Sequence, residues 1–126
     1  MIFLEPSFLI SLFFKNKSHE KSNKIFKTIE TEKLVISHMV IAEVLTVLRK
    51  LKQSDDDVKH AYYSMINDFL VIDDTTYYEK TFITSLTNNI GFFDNLYYIL
   101  MKDLEIAEIV SFDPDFDIFK DIKIIR

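Results

Sequence analysis

The chain reads as an α/β protein with a central, mainly parallel sheet flanked by helices. Three observations predict this. Short apolar runs suited to buried strands recur at Met1–Leu4, Leu34–Ile36, Phe69–Ile72 and Ala107–Phe112. The segments between them carry apolar residues at helical spacing, and strands alternating with helices build parallel sheets. Each run is followed by an acid or a hydroxyl: Glu5, Ser37, Asp73 or Asp113. Such residues fit the carboxyl edge of a sheet, where strands stop, helices start and ligands bind.

At 126 residues the chain is long enough for one domain with one sizeable core. A hydrophobic content of 48% with 28% charged residues is that of an ordinary globular protein. The absence of cysteine excludes disulfides, thiolate metal sites and cysteine nucleophiles. The single glycine, Gly91, excludes a Walker loop and a GxGxxG turn. His19, His38 and His60 have no ligand-like spacing. Met1–Glu5 has no basic region, and Glu5-Pro6 interrupts the apolar run, so neither a signal peptide nor a membrane span is expected. A cytoplasmic location fits best. The formal net charge of −5 argues against simple phosphate binding by lysine and arginine. Lys15, Lys17, Lys21, Lys24 and Lys27 nevertheless cluster, as do Arg49, Lys50 and Lys52. A solvated helix surface accounts for them; a basic rim beside an acidic site is the functional reading.

Met1–Leu4 is the first strand. Glu5 precedes Pro6, which pushes it into extended geometry and assigns it to the strand's last position. Ser7 then caps a helix carrying Phe8, Leu9, Leu12 and Phe13. A second helix spans about His19 to Glu32, with Ile25, Phe26 and Ile29 inward. The strand Leu34–Ile36 ends at Ser37, again a cap, and a strong amphipathic helix runs from about Met39 to Lys52. Glu43 shares a side of that helix with Val40 and Val47. A carboxylate at the margin of a buried face is costly unless paired, protonated or metal-bound. Asp55, Asp56 and Asp57 suit the first turn of a fourth helix. Phe69–Ile72 is the third strand, and Asp73, Asp74 and Thr75 or Thr76 serve turn and cap before a helix to about Asn88.

After Gly91, Asp94 stands at the head of an apolar-periodic helix with Tyr97, Tyr98 and Met101 following. On that segment alone, an N-cap aspartate explains it. The strand Ala107–Phe112 runs into Asp113-Pro114-Asp115-Phe116-Asp117, and Ile122–Ile125 can add a short edge strand. Glu5, Glu43, Asp94 and Asp113 therefore point to one edge. Clustered carboxylates raise one another's pKa, and a divalent cation resolves the conflict. With no soft ligand competing, Mg²⁺ or Mn²⁺ is the expected ion. Either can position water and stabilise the oxyanions of phosphodiester hydrolysis.

The chain resembles the PIN-domain ribonucleases, particularly the small stand-alone toxins of VapC type. The resemblance covers essentially the full length. It is carried by Ile2–Ile10, by Ser37–Leu45, and most by Phe93-Asp94-Asn95-Leu96-Tyr97-Tyr98 with Val110–Phe116. It implies a PIN-like three-layer α/β sandwich, Mg²⁺- or Mn²⁺-dependent endonuclease cleavage of RNA, a homodimer and a cognate antitoxin that occludes the site. By position, Glu5, Glu43, Asp94 and Asp113 match the family's acidic quartet, with Glu5, Asp94 and Asp113 as metal ligands. Ser7 matches its polar residue, and Asp115 is an alternative to Asp113. Glu5 departs from the family's usual aspartate, and Pro6 from its Thr or Ser. That departure motivates a second reading, a PIN-like binding or regulatory module that is weakened or inactive in cleavage. A phosphoacceptor receiver domain also gathers acids at a strand edge, but it opens with an acidic pair and gives Glu43 no role.

Overall fold

The structure, a computed structural model, describes residues 1–126. Five strands form one sheet in the order β3-β2-β1-β4-β5: β1 is Ile2–Leu4, β2 Leu34–Ser37, β3 Leu70–Ile72, β4 Glu108–Val110 and β5 Lys123–Ile125. Every pairing is parallel, with Phe3 opposite Val35 on one side and Ile109 on the other. Six helices flank it: α1 Pro6–Phe13, α2 His19–Ile29, α3 His38–Lys50, α4 Asp55–Asp68, α5 Tyr78–Asn88 and α6 Phe92–Asp103. This is the expected three-layer sandwich.

The three inner strands are unbroken apolar runs because both of their faces are covered. Phe3, Leu4, Val35, Ile36, Ile109 and Val110 are completely buried. The edge strands β3 and β5 are partly exposed. From the flanking layers, α3 adds Val40, Val44 and Leu48 at a spacing of four, and α6 adds Leu96, Tyr97, Leu100 and Met101. One apolar stripe per helix is what a helix laid on a sheet requires.

Several local expectations are corrected. Glu5 lies just past β1 and is itself the N-cap of α1, its carboxylate accepting from Ser7 N at 2.9 Å. Ser7 is therefore inside the helix and does not cap it. Pro6 takes the first helical position, where its missing N–H costs nothing. Ser37 stands at the N-cap of α3, but its hydroxyl makes no hydrogen bond; Met39 N donates instead to Asp74 Oδ2 at 3.0 Å. Thr75 and Thr76 belong to a 3-10 turn, Thr75–Tyr77, that precedes α5. The N-cap of α6 is Gly91, and Asp94 lies in its first turn without capping it. Gly91 has φ −56°, which any residue can adopt. The left-handed position after α5 is filled by Asn89, at φ 57°, the usual substitute for glycine there.

Candidate active site

β1 is central and is flanked by β2 on one side and β4 on the other. The chain winds out from β1 to β3, then crosses back to begin β4, so the ends of β1 and β4 form the switch point of the sheet. That crevice is where open α/β sheets bind ligands. Glu5 follows β1 and Asp113 follows β4. Asp94 arrives from the start of α6, and Glu43 from the second turn of α3.

Glu5 is 5% exposed. Its Oε2 accepts from Ser7 N, from the Ser7 hydroxyl, and from Ser111 Oγ at 2.9 Å. The network continues outward. Ser7 Oγ accepts from Phe112 N at 2.8 Å, and Ser111 Oγ accepts from Asp113 N at 3.1 Å. Glu5 N also donates to Val110 O, which extends the β1–β4 pairing by one residue. Glu5 and its two serines thus tie the β1 end to the turn that carries Asp113. Burial pushes the Glu5 carboxyl up to about 7, against the lowering effect of its serine donors, and Asp113 adds to the rise.

Asp113 opens the 3-10 turn Pro114–Ile118, its Oδ1 accepting from Asp115 N at 2.9 Å. This brings Asp115 beside it. Asp94, Asp113 and Asp115 each place a carboxylate oxygen within 4.8 Å of the other two. Glu5 lies outside that trio, close enough to feel the charge of Asp113. Burial, then Asp113 and Asp115, push Asp94 up to about 6. Burial likewise raises Glu43 to about 7; Tyr97 opposes the shift, while Asp94 and Asp113 add to it. The charge of Asp113 therefore reaches Glu5, Glu43 and Asp94 alike, and that of Asp115 reaches Asp94.

No cation answers them. The five ion pairs of the chain involve none of Glu5, Glu43, Asp94, Asp113 or Asp115. Glu43 Oε1 is buried without a hydrogen-bond partner. An all-oxygen trio and an orphaned buried carboxylate oxygen fit a hard divalent cation. Asp94 and Asp115 line a cleft of about 420 Å³, with Gly91 and Pro114 on its walls. Glu43 lines a second cleft, of about 440 Å³, with Lys50 and Phe93. The rest of the lysine cluster is solvated, as the plain reading has it, but Lys21 Nζ sits 5.2 Å above the Phe112 ring, next to Asp113.

Three residues of this region escaped the sequence reading. Ser111 is fully buried and bridges Glu5 to Asp113. Asn95 is almost fully buried; its Nδ2 donates to Ser85 Oγ, Asn88 Oδ1 and Ile90 O, which fixes the loop before Asp94. Tyr97 is completely buried beside Glu43. Polar residues adjacent to the proposed acids were the available signal. Their burial depends on partners distant in sequence, which periodicity cannot supply.

The description "PIN domain" matches residues 2–122. A search of curated proteins finds no match. Among solved structures, Mycobacterium tuberculosis VapC20, described as a sarcin-ricin loop cleaving toxin, superposes with a TM-score of 0.84 at 17% identity, covering 98% of each chain. VapBC2 from Rickettsia felis, bound to a DNA fragment from its promoter, gives 0.72 at 18% identity, covering 99% of this chain and 98% of that one. PAE2754 from Pyrobaculum aerophilum gives 0.69 at 18% identity, covering 98% and 82%. The order of the strands, the acids at their switch point and the match across nearly the whole length have one reading: the chain belongs to the PIN domain family.

Proposed function

We propose that the chain, acting as a single domain, is a metal-dependent endoribonuclease and the toxin of a toxin–antitoxin pair. The observation that carries this is the gathering of Glu5, Glu43, Asp94 and Asp113, with Asp115, at one sheet edge without a single cationic partner. Asp94 and Asp113 would hold Mg²⁺ or Mn²⁺, with Asp115 as a further oxygen donor. Glu5 receives all three of its hydrogen bonds at Oε2, which leaves Oε1 free to face the ion. The bound ion would polarise a phosphodiester oxygen and acidify water.

The chain's own residues supply the rest. The Glu43 carboxylate can take a proton from the attacking water, and a carboxyl near 7 is matched to that task. Ser7 and Ser111 hold Glu5 and the Asp113 turn in register. Lys21 offers a positive charge to an RNA phosphate entering from the α2 side.

The resemblance to VapC20 and to VapBC2 favours RNA as substrate and a cognate antitoxin as partner. No helix is long and apolar enough to cross a membrane; the proposed site of action is the cytoplasm. The exposed side chains of Tyr62, Tyr63 and Ile66 on α4, and of Phe82, Ile83 and Leu86 on α5, offer apolar area for a homodimer or an antitoxin.

The test is cleavage of a mixed single-stranded RNA pool with Mg²⁺, Mn²⁺ or EDTA, by the parent protein and by Asp94→Asn. Metal-dependent cleavage lost in the variant is the expected result. Cleavage that survives Asp94→Asn overturns the site. The commitment of Glu5 Oε2 to three donors favours one second reading, a PIN-like module that binds without cleaving. A folded, metal-supplied parent that binds the pool and leaves it intact supports that reading.

A further inference from the structure

Across the whole chain, three buried side-chain polar atoms lack a hydrogen-bond partner: Ser37 Oγ, Glu43 Oε1 and Tyr97 Oη. Two of the three belong to neighbours. Tyr97 lies one turn after Asp94 in α6, and its ring packs on Phe3 of β1 at a centroid distance of 5.6 Å, two residues before Glu5. Its hydroxyl comes close enough to Glu43 for each group to perturb the other, without the distance and angle of a formed hydrogen bond. The charges of Glu5, just past β1, and of Asp74, just past β3, also reach the phenol.

A buried hydroxyl without a partner is a cost that phenylalanine would avoid in the same space. Tyr98, its neighbour in sequence, shows what the fold does with an ordinary tyrosine: its hydroxyl donates to Asp121 and its ring stacks on Phe119. Tyr97 is closed off from the surface and has no settled acceptor. Of the acids around it, Glu43 is the one with an oxygen that is both buried and unfilled.

We propose that Tyr97 is a positioning residue, whose hydroxyl donates to the Glu43 carboxylate and holds it towards Asp94 and Asp113. A small rotation of either side chain completes the bond. The donor fixes one carboxylate oxygen and leaves the other to face the reacting water. Because Phe3 anchors the ring, β1, α3 and α6 are locked at the point where they deliver Glu5, Glu43 and Asp94. The catalytic consequence rests on the nuclease reading; the contact between the two side chains does not.

Tyr97→Phe tests it, since it removes one oxygen and keeps the ring against Phe3. With ¹³C-labelled glutamate, the Glu43 carboxyl resonance of the metal-free protein should move in Tyr97→Phe and stay in place in Tyr98→Phe. A Glu43 resonance unmoved by Tyr97→Phe overturns the proposal, whether or not the protein cleaves RNA. On RNA, kcat should fall about 10- to 100-fold, the scale of one hydrogen bond to a charged group, with KM unchanged. The variant should stay folded at the assay temperature, because the ring against Phe3 is kept. Unchanged kcat, or a loss that tracks a lowered midpoint, overturns the positioning role. A parent that shows the Glu43–Tyr97 contact and cleaves nothing removes the nuclease reading and leaves the contact standing.

Discussion

Two sets of acids stand at the carboxyl edge of the same sheet, and the fold treats them oppositely. After β3, Asp74 is completely buried, yet it is filled: Oδ2 accepts from Met39 N at 3.0 Å and Oδ1 from Tyr78 Oη at 2.7 Å. Its neighbour Asp73 accepts from the amide and hydroxyl of Thr75 and lies 3.7 Å from His38. That pair ties β3 to the start of α3 and to α5. Across β1 and β4 the acids gather without cations, and burial raises the pKa of Glu5, Glu43 and Asp94. A row of acids at a strand edge therefore says little until its partners are counted. His38, Asp73 and Asp74 also have atoms close enough to share an ion, but hydrogen bonds already explain their positions.

The comparison predicts opposite outcomes for substitutions in the two sets. The largest effect belongs to the unpaired set: Asp94→Asn should abolish RNA cleavage while circular dichroism and the thermal midpoint keep their parental form. Asp74→Ala should do the reverse. It leaves Met39 N and the Tyr78 hydroxyl unfilled, which should cost about 1–3 kcal/mol in urea unfolding, with cleavage by the folded fraction unchanged. If Asp74→Ala silences a stable protein, the division between the two sets fails.

A pH series sharpens the contrast. Glu5 and Glu43 rise from 4.5 to about 7, and Asp94 from 3.8 to about 6. Between those limits the native protein binds more protons than the unfolded chain, so these groups stabilise the fold at low pH and lose that contribution as pH rises through 6 to 7. In EDTA, the thermal midpoint should fall from pH 5 to pH 8, and Glu43→Gln should flatten the slope. Mn²⁺ should recover more stability at pH 8 than at pH 5, because protons compete for the same oxygens. A midpoint in EDTA that climbs with pH would show that these carboxyls are not in conflict. The smallest expected effect is that of Lys21→Ala. A single exposed ionic contact is worth about 0.5–1 kcal/mol, so KM for RNA should rise roughly two- to fivefold in low salt and converge with the parent in high salt.

Much of this was legible from the sequence. Buried parallel strands must be apolar throughout, so Ile2–Leu4, Leu34–Ile36 and Ile109–Val110 declared themselves. Glu43 stood out because its helix otherwise keeps apolar spacing on that side. The caps were misassigned where several residues could serve. Glu5 caps α1 ahead of Ser7, and Gly91 precedes α6 where Asp94 was expected. Caps of this kind are decided by side-chain rotamers, which a sequence does not display. The start of α3 was beyond sequence reading for a stronger reason: its donor is filled by Asp74, 35 residues away. Ser111 was hidden in the same way, since it meets Glu5 across 106 residues.

That last separation has a consequence for the order of events at the ribosome. Chains emerge from the N-terminus and domains begin to fold as they do so. Strands β1, β2 and β3 can pair while α6 and β4 are still unmade, and the partial sheet contains Glu5 and Glu43 but neither Asp94 nor Asp113. No nascent fragment that stops before Asp113 can assemble the cluster. Under the proposed function, cleavage of RNA has to wait until the turn after β4 has cleared the ribosome's exit. On that same proposal, the interval gives an inhibitory partner time to meet the chain before the cluster is complete.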